Sequence, residues 1–197
     1  MRRSCRRPTG RPPRRGLTLV EILVGLVVLA VLIAVAIPSM SDLLERRRVI
    51  AATDEIAGVL AYAKAETVAI STPLWVRFDP DPNNTLSCTA VVTLSSQDTC
   101  RCYYPADDIC PNTGAKLLRL FQLPRQHVRF SAQASAWGGP ANYISFSRDQ
   151  MSISARNFQV NVVGMRKGYT LRVEVNTGGR VKICSPGGSI NGYAVCT

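Results

Sequence analysis

Histidine is almost missing from this chain: among 197 residues there is one, His127, between Gln126 and Val128. No G-x-S-x-G, phosphate loop, H-E-x-x-H or spaced carboxylate pair accompanies it. Nucleophilic, phosphoryl-transfer and zinc-hydrolytic sites need those constellations, so the expectation is a protein that is not an enzyme and takes no cofactor. The paired C-x2-C spacing of common zinc sites is also missing, because Cys100, Cys102 and Cys110 stand as C-x-C-x7-C. Acidic residues are absent from residues 1–16, which hold seven arginines. They are scarce again after Cys110, where Asp149 and Glu174 face eleven Lys and Arg; between Leu17 and Cys110 the balance reverses, with eleven Asp and Glu against six Lys and Arg. That asymmetry fits an anionic partner for the C-terminal half, or a solvated surface balanced by the acidic half.

The longest feature present is apolar. Leu17 to Ile37 is 21 residues with one charge, Glu21, long enough to cross a bilayer as a helix. The arginines ahead of it hold the N-terminus in the cytoplasm. A cleaved secretory signal shares the basic and apolar regions, but this run is long for one, and no clear small-x-small site follows it. An ordinary uncleaved anchor fits the length and gives no reason for Glu21. A carboxylate in lipid is costly and usually functional.

Gly16-Leu17-Thr18-Leu19-Val20-Glu21, the apolar tail and Pro38 together resemble the processing site of type IV prepilins and type II secretion pseudopilins. The resemblance implies cleavage by a prepilin peptidase between Gly16 and Leu17, then N-methylation of Leu17. Leucine stands where the family usually has phenylalanine or methionine. Glu21 becomes the fifth residue of the mature chain. Its carboxylate is the expected partner for the ammonium of a neighbouring subunit's terminus, since a buried charge needs a counter-charge. Gly25, Ala30, Ala34 and Ala36 permit close helix packing. Pro38 removes a helical hydrogen bond and is expected to kink the helix.

Beyond Pro38 an amphipathic stripe resumes: Val49, Ala52, Ile56, Val59 or Leu60, Ala63, Thr67 and Ile70 recur at steps of three and four. Asp42, Glu45, Arg46, Arg47 and Arg48 read as an exposed stretch just outside the membrane. Ser71-Thr72-Pro73 ends a helix on the order of 80 Å long at 1.5 Å per residue. Strands are expected at Leu74–Phe78, Cys88–Leu94, Lys116–Leu123, His127–Phe130, Tyr143–Phe146, Met151–Ser154, Phe158–Val163, Tyr169–Val175, Arg180–Cys184 and Gly192–Cys196, with loops at 95–115 and 132–142. The expected fold class is α+β: a long N-terminal helix, half membrane span and half amphipathic, packed on a β-sandwich-like, strand-rich head. The expected divisions are a leader at 1–16, a membrane or filament-core helix at 17–38, its amphipathic continuation at 39–72, and a disulfide-containing head at 73–197.

Six cysteines, Cys88, Cys100, Cys102, Cys110, Cys184 and Cys196, follow the apolar run. Across the membrane they read as up to three disulfides in an oxidising compartment. Fifteen full pairings are open; Cys184 with Cys196, flanking a short Gly-rich loop, is the favoured pair.

Ala61-Tyr62-Ala63-Lys64-Ala65-Glu66-Thr67-Val68-Ala69-Ile70 and Thr177-Gly178-Gly179-Arg180-Val181-Lys182-Ile183-Cys184 resemble the GspH/FimT-type pseudopilins and minor pilins. Some members capture DNA through a C-terminal Gly-Arg-x-Arg-like motif, matched here by Gly179-Arg180-Val181-Lys182, with lysine in the second basic place. Aligning the apolar faces of neighbouring strands pairs Val175 with Val181 across a three-residue loop and sets Glu174 opposite Lys182. Lys182 then has two readings, as a phosphate contact or as a cross-strand partner of Glu174. Arg166, Lys167 and Arg172 are expected to extend a basic patch around Arg180. Such a patch would hold double-stranded DNA without sequence preference and with strong salt dependence. Tyr169 and Tyr193 are the only evident aromatics for base stacking.

Three functions follow: a minor pilin in type IV pilus assembly and priming; the same with DNA capture during natural transformation; and a minor pseudopilin of a type II secretion system. Each implies single-pass insertion in the inner membrane with a periplasmic head. Other pilins and the prepilin peptidase are the expected partners. The final place is a cell-surface pilus or a periplasmic pseudopilus.

Overall fold

The computed structural model describes residues 16, 18–93, 100–111, 114–136, 139–140, 142–147 and 156–197. The expected strand at Met151–Ser154 lies outside them. The chain forms two compact units, Met1–Met40 and Ser41–Thr197, and helix α1, Leu19–Ile70, runs through both.

In the first unit α1 is apolar on every side, with an 18-residue stretch of mean hydropathy 3.1 and none of it buried. Leu19, Val27 and Val35 are all more than half exposed. A helix apolar all round, unlike one with a single apolar stripe, belongs in lipid or among other helices.

The second unit is a two-sheet head wrapped on the C-terminal part of α1. One sheet has the order β3-β2-β1-β6 and the other β5-β4-β7-β8-β9, all pairings antiparallel. The strands are β1 Leu74–Arg77, β2 Leu86–Val92, β3 Leu117–Pro124, β4 Val128–Ala136, β5 Gly139–Pro140, β6 Tyr143–Phe146, β7 Arg156–Gly164, β8 Thr170–Val175 and β9 Val181–Cys184. Alternation sends Phe158, Val160 and Val162 of β7 and Leu171, Val173 and Val175 of β8 into one core. Val49, Ala52, Ile56, Val59, Leu60 and Ala63 of α1 meet them there.

Four expectations are corrected. Ile70 is 40% exposed, because the stripe leaves the core after Thr67, whose hydroxyl donates back to the Ala63 carbonyl at 2.8 Å. Residues 132–136 extend β4, and 139–140 pair with it as β5, where a loop was expected. Gly192–Cys196 makes only a single parallel bridge, Ser185 to Val195, since the short returning segment has no length for a ladder. Glu45, read as exposed, is 4% exposed.

Glu45 is buried because its carboxylate receives a turn. Its Oε1 accepts from the backbone N–H of Arg166 and of Lys167, each at 3.0 Å, and Oε2 accepts from Lys167 N–H at 3.1 Å. The donors sit in the β7–β8 connection. A Cβ at Gly164, at its start, would overlap the Glu45 carboxylate and displace it. Lys64 does the converse on the β8–β9 turn, donating to the carbonyls of Gly178 at 3.0 Å and Gly179 at 3.2 Å.

β2 is buried on both faces. Val91 enters the main core, while Cys88, Ala90 and Val92 lie under the cysteine loop with Cys100, Cys102 and Ile109. Asp79 holds that loop: Oδ2 accepts from Cys102 N–H at 3.1 Å, and Oδ1 lies 3.2 Å from Arg77 and 3.7 Å from Arg101. In the next turn Asp81 accepts from the Thr85 hydroxyl and N–H at 2.7 Å, from Leu86 N–H at 2.9 Å and from Asn83 N–H at 3.0 Å. The Thr85 hydroxyl bond foremost, then the backbone bonds, hold its pKa down to about 2 against the opposing effect of desolvation.

Two outcomes are expected. Glu45→Ala orphans the donors of the β7–β8 turn and should cost about 2–4 kcal/mol in denaturant unfolding, with Glu45→Gln losing less. For Asp81 the folded pKa lies below the unfolded value, so its stabilisation is full above about pH 4 and is lost as pH falls toward 2. Melting temperature followed across that window should drop in the native protein and drop less in Asp81→Asn.

Candidate functional site

The N-terminal end of α1 is built on a helix cap. Gly16 is exposed, Leu17 lies outside the described residues, and α1 starts at Leu19. Thr18 is the N-cap: its hydroxyl accepts from Glu21 N–H at 3.2 Å, and its carbonyl accepts from Ile22 N–H at 3.2 Å. Thr18-Leu19-Val20-Glu21 thus has the T-x-x-E pattern of a capping box. Glu21 also lies in the first turn, where the helix dipole favours negative charge. The capping signal is present in the sequence itself, and it gives Glu21 a local role besides the expected pairing with a neighbour's terminus. Helix α1 continues through Pro38.

The second candidate is the β8–β9 hairpin. Its register is the one expected from the apolar faces, Val175 with Val181 and Glu174 with Lys182. Asn176 N–H donates to the Arg180 carbonyl at 3.1 Å, closing the loop Thr177-Gly178-Gly179. Gly179 takes φ +68°, the left-handed residue such three-residue hairpins require. Arg180 falls just before the strand, its N–H held by the Asn176 side chain at 2.8 Å.

Register does not make an ion pair here. The Glu174 carboxylate lies 3.7 Å from Arg172 on its own strand, and Arg172 also donates to the Asn161 side chain at 2.9 Å. Among the described residues, Arg180 and Lys182 form no ion pair, and both are exposed. They line a polar groove of about 700 Å³ with Asn157, Gln159, Arg172 and Asn176.

Arg166 and Lys167 do not join this patch. They sit in the β7–β8 turn at the Glu45 end of β8, whereas Arg180 sits at the Lys64 end. Glu45 and Lys64 are 19 residues apart on α1, about 28 Å of helix. A hairpin puts consecutive turns at opposite ends of their shared strand, and their nearness in sequence concealed this. Tyr169 is not free for stacking either. Its hydroxyl accepts from Arg46 at 2.9 Å and donates to Asp42 at 2.9 Å, with the Arg46 guanidinium 4.5 Å over the ring. The bond to Tyr169 is the main cause raising the Arg46 pKa above its ordinary value.

In their place the outer face of the sheet supplies Arg129, and the β3–β4 turn supplies Arg125, whose guanidinium also donates to the Ser87 hydroxyl and the Asn84 side chain. With Arg172, Asn161 and Thr170 they line a second groove of about 520 Å³. Arg172 borders both grooves, so basic side chains cross the face from β4 to β9. Alternation around Val128 and Phe130 could have shown Arg129 pointing outward. Only the β4–β7–β8 pairing puts it near Arg172.

Cysteines pair as Cys88–Cys102, Cys100–Cys110 and Cys184–Cys196. Glu174, Cys184 and Cys196 bring possible ligand atoms within 4.8 Å of one another, but the disulfide removes both sulfurs as thiolate ligands.

Residues 11–37 match the family model described as the prokaryotic N-terminal methylation motif. No curated sequence matches the chain. Among solved structures, the minor pseudopilin EpsH from the Type 2 Secretion System of Vibrio cholerae is similar at 12% identity and a TM-score of 0.46, over 69% of this chain and 95% of that one. The chain thus carries a prokaryotic N-terminal methylation motif at the start of a long, exposed apolar helix.

Proposed function

We propose that this protein is a minor pilin of a type IV pilus, acting in assembly and priming, and that its outer sheet face captures DNA. The observation that carries the assembly role is Glu21, the one carboxylate in the matched motif, at the first turn of a fully exposed apolar helix. Cleavage after Gly16 leaves an ammonium at Leu17. In a filament core that charge needs a counter-charge, and Glu21 of a neighbouring subunit provides it. The apolar faces then pack against one another, first in the inner membrane and then in the filament.

The mature chain co-expressed with a prepilin peptidase should lack residues 1–16 and carry one methyl on Leu17, read by mass spectrometry. Glu21→Ala should still be cut but fail to enter filaments. An intact leader in the native chain would defeat the processing role.

Capture of double-stranded DNA is supported by Arg180 and Lys182, exposed beside Arg172 and without an ion pair among the described residues, by Arg129 across the sheet, and by Arg125 at the β3–β4 turn. Four phosphate contacts would weaken binding on the order of a hundredfold between about 50 and 200 mM salt, without sequence preference. Arg180→Ala with Lys182→Ala should lower the log–log salt slope by about 2 and leave the melting temperature unchanged. No binding at low salt would favour the pseudopilin role in type II secretion.

A further inference from the structure

We infer that the outer edge of β9 receives a short extended segment of a partner protein, in which apolar and acidic residues alternate. Asn176 N–H donates to the Arg180 carbonyl at 3.1 Å, so these two form a hydrogen-bonded pair. Such pairs recur at every second position of an antiparallel ladder. Glu174 with Lys182 and Arg172 with Cys184 are therefore the next, and the N–H and C=O groups of Val181 and Ile183 point away from β8. β9 is the last strand of its sheet. Ser185 continues this outward row, and the returning chain takes it: its N–H donates to the Ala194 carbonyl at 2.8 Å, and its carbonyl accepts from Cys196 N–H at 3.4 Å. Among the described residues nothing does the same for Val181 or Ile183. The edge thus offers two donors and two acceptors at strand spacing. It is fixed at both ends, by the returning chain and by Lys64, which holds the Gly178 and Gly179 carbonyls.

The surroundings select the occupant. Beside the edge, Ala61, Ala65 and Val68 of α1 and Val181 line an open apolar groove of about 550 Å³. Val68 is 49% exposed there. Val181 and Ile183 pack toward the core. Arg180 and Lys182 are exposed, without an ion pair among the described residues, and alternation puts them on the other face. In an added strand every second residue would lie over the groove, and the residues between would stand beside Arg180 and Lys182. The groove calls for apolar side chains and the cations for carboxylates. A second copy of β9 does not fit, because it would set Arg180 and Lys182 against the same cations. Duplex DNA does not fit this edge either. Its phosphates accept hydrogen bonds and donate none, which leaves both carbonyls unmet. The inference therefore stands apart from the DNA reading, although both use Arg180 and Lys182.

The test adds the peptide acetyl-Val-Glu-Val-Glu-Val-amide to the full chain in detergent micelles and follows amide hydrogen exchange by NMR. Without peptide the Val181 and Ile183 amides should exchange quickly. With it they should slow at least about tenfold, as two new backbone hydrogen bonds require. Methylating the valine nitrogens of the peptide should abolish the effect, and lysine in place of its glutamates should weaken binding about tenfold. Ala65→Glu, at an exposed helix position, should block the groove and leave the melting temperature unchanged. Amides that are already slow in the free chain overturn the inference, as does no slowing at any soluble peptide concentration. So does slowing that survives the methylated peptide, the lysine peptide or Ala65→Glu.

Discussion

A buried carboxylate sets the layout of charge on this head. Glu45 takes the N–H groups of Arg166 and Lys167, and that bond fixes which end of the sandwich the β7–β8 turn occupies. Burying a carboxylate is costly unless its lone pairs are filled, so the turn and the helix come as a unit. Lys64 fastens the next turn to the other end of the same helix. With both turns pinned, the intervening strand lies along α1, and its apolar residues Leu171, Val173 and Val175 face the helix stripe. One group of cations is thereby carried to the entry end of the head and another to the far end.

The apolar N-terminal helix obeys a different constraint. It has no core of its own, and every described side chain from Thr18 to Ala36 is exposed. Its stability as a helix needs no partner, since its backbone is satisfied internally and Thr18 caps its start. Its apolar surface does need one. Glu21 serves both demands: its N–H completes the cap, and its side chain remains in the first turn for a positive partner. A residue whose N–H serves the helix locally thus also carries the one negative charge of the apolar segment.

Around β2 the problem is small size. A central strand with both faces buried needs cover on each, and the helix and second sheet supply only one. The cysteine loop supplies the other, cross-linked by Cys88–Cys102 and Cys100–Cys110 and tied down by Asp79 on Cys102 N–H. Those two disulfides are therefore part of how the head completes its second, smaller core.

Local pattern alone determined much of this protein. The N-terminal methylation motif was legible because it is a run of consecutive residues. The stripe from Val49 to Ala63 was legible because helical period is local. The Val175–Val181 register was legible because a short hairpin leaves apolar faces only one way to align. What tertiary structure decided lay in pairings distant along the chain. Glu45 looked like one more surface charge until a turn about 120 residues later met it. Arg166 and Lys167 looked adjacent to Arg180 until β8 held them apart, and Arg129 joined Arg172 only through β7. Sequence reports which face a side chain takes on its own element, because that follows from backbone geometry. Which charges share a surface depends on how elements pack, and that is set by burial and hydrogen bonding across the whole head.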